Sequence, residues 1–286
     1  MKFFLTGLGN WFKNLALIKT AVVEADRLGF DGALIEDHYM WGASRVIRAD
    51  RNVTVESWVT LTYLAAKTEH IHLGTIVTPI PFRPPGMLAK MLSTLDLLSN
   101  GRVILGVGAG WSQEEFEGYS EWSEPKVRVD KTKEGVELMI KLWTEPEVTF
   151  EGRYYQAKRA VLEPKPLQKP YPPLLFGGRG TRMLKLAGKY ADICYLSSPD
   201  PNEPDSQKSK ETVLLAAEKA KRVNRIAFAA GRIGSGQARF GLEDYCRNIE
   251  SASKSGATYF LASFPANENF MGSMRIFASE VMPSFK

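Results

Sequence analysis

The chain has 286 residues, 44% hydrophobic and 24% charged, a balance that excludes a disordered or fibrous protein and supplies material for a large core. Its 37 basic and 32 acidic residues leave a net charge of +5, a modest excess that fits either a lysine-rich solvated surface or an anionic ligand. No basic helix interleaved with aromatic residues points to nucleic acid, and two cysteines, Cys194 and Cys246, are too few for a disulfide framework or a zinc cluster.

The opening Met1–Asn10 sets a lysine before apolar residues, but it is too short for a signal peptide and lacks a small-residue cleavage site. No apolar run approaches the roughly 20 residues a bilayer demands. The expectation is a cytoplasmic protein with no membrane partner, in keeping with the reducing compartment that sparse cysteines suggest.

In chain order, short apolar runs predict strands over Phe3–Leu8, Gly32–Ile35, Ile71–Gly74, Arg102–Leu105, Leu174–Phe176, Ile193–Leu196, Arg225–Ala230 and Thr258–Ala262. Helical periodicity fills the segments between and after them: Asn14–Leu28, Glu56–Lys67, Pro85–Leu98, Lys131–Trp143, Thr181–Gly188, Lys210–Val223, Leu242–Lys254 and Asn269–Met282. In the fourth, Val136, Ile140 and Trp143 share one face while Glu137 and Lys141 pair on the solvent side. Gly29, Gly101, Gly188 and Gly256 stand where helices give way to strands, because glycine closes a helix in the left-handed conformation.

Eight strands alternating with eight helices predict an α/β protein, a closed (β/α)8 TIM barrel forming a single domain over residues 1–286. An open doubly wound sheet is the competing arrangement. Three stretches interrupt the rhythm as loop insertions: an aromatic, acidic loop near 115–129, a hairpin and proline-rich stretch within 147–173, and a polar segment near 199–209. Such insertions can become lids over a barrel mouth.

In a barrel of this kind the site gathers at the C-terminal ends of the strands. There the chain offers Asn10 and Trp11; Asp37, His38 and Trp41; Thr75, Ile76, Val77 and Thr78; Gly108, Gly110 and Trp111; Gly177, Gly178, Arg179 and Gly180; Ser197; and Arg232. Of three histidines, His70 and His72 fall at the opposite end of the third strand, where structural or surface roles are expected. His38 follows its strand, and its titration near neutrality suits proton transfer. Asp37 either faces a ligand or caps the next helix, and Trp41 and Trp111 either line a flat ligand or pack.

Gly177-Gly-Arg-Gly180 precedes a helix whose free amides and dipole favour a phosphate, unless it is a plain turn. It lacks the Gly-Lys-Ser/Thr ending of a phosphate-binding Walker loop, and Gly106-Val-Gly-Ala-Gly110 alone is weak evidence for a dinucleotide. No metal-ligand constellation, catalytic triad or nucleophile elbow is evident.

These motifs, in this order, resemble the luciferase-like family of flavin- and deazaflavin-dependent oxidoreductases. The resemblance runs through Glu24-Ala-Asp-Arg-Leu-Gly-Phe-Asp31, Asp37-His38, Leu73-Gly-Thr-Ile-Val-Thr-Pro79 and Leu92-Ser-Thr-Leu-Asp-Leu-Leu-Ser-Asn-Gly-Arg102. It continues through Gly106-Val-Gly-Ala-Gly-Trp111, Glu151-Gly-Arg-Tyr-Tyr155 and Gly177-Gly178, and fades beyond Lys210.

The resemblance implies a small-molecule oxidoreductase, a homodimer, that passes hydride to or from coenzyme F-420, with flavin mononucleotide (FMN) and monooxygenation as the alternative. A non-catalytic flavin-binding protein is the third reading. It implies a non-proline cis peptide at Ile76–Val77 under the ring, Asp37 at the cofactor and His38 in proton transfer, with Trp41 as the equivalent of a family tryptophan and the second catalytic candidate. The remaining cofactor-binding candidates are Thr75, Ile76, Val77, Gly108, Gly110, Trp111, Gly177, Gly178, Arg179, Gly180 and Ser197. One departure stands out: the related sugar-phosphate dehydrogenases carry a glutamate where this chain has Trp111.

Overall fold

The structure is a computed structural model that describes residues 1–11, 15–40, 54–196, 203–231, 241–265 and 267–286. Its strands are β1 (Lys2–Thr6), β2 (Gly32–Ile35), β3 (His72–Thr75), β4 (Thr78–Pro79), β5 (Val103–Gly108), β6 (Val148–Glu151), β7 (Gln156–Ala160), β8 (Leu174–Gly177), β9 (Ile193–Tyr195), β10 (Ala227–Gly231) and β11 (Tyr259–Ser263). The helices are α1 (Leu15–Arg27), α2 (Ser57–Ala65), α3 (Pro85–Leu98), α4 (Gln113–Tyr119), α5 (Pro125–Thr144), α6 (Thr181–Tyr190), α7 (Pro204–Lys219), α8 (Leu242–Lys254) and α9 (Phe270–Ile276).

Parallel pairing runs β3-β2-β1-β11-β10-β9-β8-β5-β4, and a further β3–β5 pairing closes the ring. Because β3 and β4 are two pieces of one interrupted strand, the ring is the eight-stranded (β/α)8 barrel that the alternation predicted. An open sheet is ruled out by the β3–β5 register, Leu73 against Val103 and Gly74 against Ile104.

Both faces of each barrel strand are covered, so these strands read as continuous apolar runs rather than alternating ones. Phe4, Leu34, Ile76, Ile104, Leu175, Ile193, Tyr195, Ala229 and Leu261 fill the inside of the barrel. Their neighbours along the chain, such as Phe3, Leu5, Ala33, Ile35 and Phe176, pack outward against the helices. The interior is therefore a plug of side chains with a floor at its C-terminal end.

The opposite end holds stabilising contacts. Arg102 caps the C-terminus of α2: its guanidinium makes five hydrogen bonds, to Ser99 O, Thr68 Oγ1, Ile71 O, Ala65 O and Thr68 O. Asp26 collects the backbone N–H groups of Glu69, His70 and Ile71. His72 sits at this end with its Nδ1 3.1 Å from Asp31 O, and His70 is exposed.

Two of the three expected loops turn out otherwise. Residues 113–119 form α4, and α5 begins at Pro125 rather than Lys131, so little of the 115–129 stretch is loop. α7 likewise begins at Pro204, six residues before the expected start, and takes up the end of the 199–209 segment. Both early starts have proline in the first helical turn, where its missing N–H costs nothing and its fixed φ suits the helix. The expected hairpin is present as β6 and β7, paired antiparallel.

Candidate functional site

At the end of β2 three successive polar side chains take three different directions. Asp37 turns into the wall: Arg83 donates to Oδ2 at 2.8 Å and to Oδ1 at 2.9 Å, and Thr78 Oγ1 donates to Oδ2 at 2.7 Å. Arg83 also bonds Glu56 and lies 4.9 Å over the Tyr39 ring. Burial alone would lower the Arg83 pKa, but the adjacent Asp37 carboxylate more than offsets it and the net shift is upward. Thr75 Oγ1 lies 2.9 Å from Thr78 Oγ1, which also receives the Trp58 indole N–H. Asp37 thus braces the segment between β3 and β4. It does not cap α2, whose N-cap is Glu56.

His38 turns to the mouth, where its Nδ1 stands 3.0 Å from Glu115 Oε2. The Glu115 side chain is 2% exposed, and its other oxygen accepts the backbone N–H groups of Tyr39 and Met40. A carboxylate on Nδ1 fixes the ring orientation and directs proton exchange to Nε2. Burial pushes the Tyr39 hydroxyl up to about 12, so this neighbour stays neutral.

Glu36 points inward with Leu34. Its residue is 6% exposed, Oε2 accepts the N–H of Gly9 at 2.8 Å, and Oε1 has no hydrogen-bond partner among the described residues. Burial raises its pKa, and the favourable contacts with backbone N–H groups and His38 do not cancel that rise.

The peptide Ile76–Val77 is cis, as the resemblance implied. Ile76 belongs to the barrel plug and Val77 packs on it. A Cβ at Gly108 would stand 2.4 Å from Val77 Cγ2, and one at Gly177 would stand 3.1 Å from Val77 Cγ1. These two glycines therefore serve the floor itself, by making room for Val77 between the ends of β5 and β8.

Gly110 adopts φ +74°, and a side chain there would strike the ring of Phe116. Trp111 beyond it is 59% exposed, with its ring edge-on to His38 at 5.9 Å between centroids. Gly178 adopts φ +144°, Gly180 is the N-cap of α6, and Arg179 and Gly180 are exposed. Beside this turn opens a cavity of about 400 Å³ whose lining includes Gly178, Arg179, Thr181, Glu203 and Lys208. Trp41, Ser197 and Arg232 lie outside the described residues.

The structure therefore brings His38, Trp111, Val77, Gly108 and Gly177 to one mouth, and sends Asp37 and Thr75 behind it. Glu36 and Glu115 are the residues that sequence reasoning missed. A signal for Glu115 was present: Ser112 precedes it by three residues, the capping-box spacing of a helix start.

A family profile described as luciferase-like monooxygenase matches residues 6–234. The chain belongs to this luciferase-like family. A coenzyme F-420-dependent glucose-6-phosphate dehydrogenase from Nakamurella multipartita is 36% identical over 172 residues, covering 59% of this chain and 48% of that relative. A reduced-FMN-dependent dimethylsulfone monooxygenase from Pseudomonas putida is 31% identical over 170 residues, covering 59% and 45%. The luciferase-like chain spans about half the length of the curated relatives it matches.

Among solved structures, a coenzyme F-420-dependent secondary alcohol dehydrogenase superposes with a TM-score of 0.82 at 22% identity over all of both chains. A coenzyme F-420-dependent tetrahydromethanopterin reductase from Methanopyrus kandleri gives 0.76 at 20% identity, covering 100% of this chain and 98% of its own. At these identities the likeness shows the luciferase-like fold. The departure at Trp111 now has a structural counterpart: a carboxylate against His38 is supplied four residues later, by Glu115 on α4.

Proposed function

We propose that this protein is an oxidoreductase that passes hydride between coenzyme F-420 and a small organic substrate. The observation that carries it is His38 held at the mouth by a buried carboxylate, at the same barrel end as the apolar floor formed by Ile76 and Val77. When bound, coenzyme F-420 supplies a two-electron hydride acceptor or donor. The residues fit such a group: Val77 between Gly108 and Gly177 offers a surface for the ring, and the Gly177–Gly180 turn at the start of α6 offers amides for a phosphate. Arg179 stands exposed at that turn.

In the oxidising direction His38 Nε2 accepts the proton that leaves the substrate as its hydride departs; in the reducing direction the same nitrogen returns it. Glu115 stabilises the imidazolium formed in between. Asp37 and Thr75 act from behind, by holding Thr78 and the floor. Trp111 lines the open side. The Nakamurella relative's name supports the coenzyme, and the sugar phosphate in it is one candidate substrate. The expected assembly is a homodimer in the cytoplasm; among the described residues no helix is long and apolar enough to cross a membrane.

The Pseudomonas putida relative favours a second reading, monooxygenation with reduced FMN. Titration of the purified protein with each cofactor separates the two. Saturable F-420 binding, with substrate-dependent bleaching or recovery of its absorbance and no oxygen uptake, supports hydride transfer. Tight FMN binding with oxygen consumption, and no F-420 binding, would overturn it.

A further inference from the structure

We propose that Glu36 is a ligand-binding acid in the floor of the mouth, whose unpaired carboxyl edge forms a hydrogen bond with the molecule seated there. The direction of its side chain follows from the strand. Leu34 faces into the barrel plug, Asp37 faces outward to Arg83, and Glu36 therefore shares the inward face with Leu34. The β2–β3 register, Ile35 against Thr75, sets residue 36 level with Ile76, the residue under the proposed ring site.

One edge of this carboxyl is already committed. Oε2 takes the N–H of Gly9, in the turn after β1, and this leaves Oε1 as a buried polar atom without a hydrogen-bond partner among the described residues. A buried polar atom left unpaired is costly, so a partner arriving with the ligand is the economical explanation. The facing charged groups decide what kind of partner. His38 is on the same strand end, bonded to Glu115 from α4, and Asp37 is neutralised by Arg83 in the wall. No described cation bonds Glu36, and burial raises its pKa, a shift toward the neutral form whose unpaired edge can donate an O–H. A ring carbonyl, a ring nitrogen or a substrate oxygen would accept from it. No atom is transferred by Glu36 in this role; proton exchange belongs to His38.

The proposal rests on the deazaflavin reading only for the identity of the ligand, and the test keeps the two apart. Infrared difference spectra at pH 7 between wild type and Glu36→Gln should show a protonated carboxylic-acid band that vanishes in the variant. Adding coenzyme F-420 or FMN to wild type should shift that band. Glu36→Gln, neutral and able to donate, should bind within about twofold of wild type, whereas Glu36→Leu should lose about tenfold, the net effect of one hydrogen bond. Absence of the band at pH 7, a band unmoved by a bound ligand, or a Gln variant that loses as much affinity as Leu would each overturn the role. If Glu36→Leu fails to fold, the band shift and the Gln affinity still decide. A band that moves with FMN while F-420 does not bind keeps Glu36 and removes the deazaflavin; binding of neither removes both.

Discussion

The imidazole of His38 and the carboxylate of Glu115 meet at 3.0 Å although they stand 77 residues apart, one at the end of β2 and the other on α4. The same carboxylate secures the backbone of Tyr39 and Met40, so it sets both the ring's tautomer and the path of the chain that carries it.

Glu115→Gln should therefore lower kcat about 10- to 100-fold, a typical loss when a histidine's orienting partner is removed. His38→Ala should cost about a hundredfold or more. In the double variant the losses should not multiply, because both remove one unit. Turnover unchanged in His38→Ala would instead return the protein to the non-catalytic reading. The imidazole N–H signals of His38 by NMR check the contact independently, since the resonance of the proton shared with Glu115 should move in Glu115→Gln.

Arg83→Met should destabilise the fold by about 3–5 kcal/mol, because it leaves Asp37 buried and charged with only Thr78 as a side-chain partner. Asp37→Asn with Arg83→Met should recover part of that loss. Chemical denaturation of wild type and the two variants measures it.

The floor gives a steric prediction. Gly108→Ala places a methyl 2.4 Å from Val77 Cγ2 and should cost about 1–3 kcal/mol as overpacking. Val77→Ala in the same chain should relieve most of the cost, and thermal unfolding of the pair reads the coupling.

Asp26 predicts part of the acid response. Burial raises its pKa, but three backbone N–H groups and the His70 charge outweigh burial, and the folded value lies below the unfolded one. A depressed carboxylate contributes stability that is present above the unfolded value near 4 and is lost as pH falls through the folded value. Asp26→Asn should be less stable at neutral pH, with a shallower loss below about pH 4; urea midpoints from pH 7 to 3 test this.

The barrel was legible because each of its strands is a short apolar run set off by glycine or polar residues, as at Asn100-Gly101, where both residues adopt positive φ. Pro125 and Pro204 stand in the first turns of α5 and α7, ahead of the periodicity that set the expected starts at Lys131 and Lys210, and proline is accommodated there. The site was legible where a residue's strand position decides its direction, as for His38 and Val77. Asp37 belonged to the same run, but its outward face and its pairing with Arg83, 46 residues on, could be seen only in three dimensions. Glu115 was lost inside a stretch read as loop, so no direction could be assigned to it.

Val77, wedged between two glycines, also has a stereochemical consequence. A flat ligand resting on it has one face sealed by protein, so a reacting partner can approach only from the solvent side. Handedness of the transfer would then be dictated by the floor rather than by the substrate, and deuterium label should enter or leave a single face.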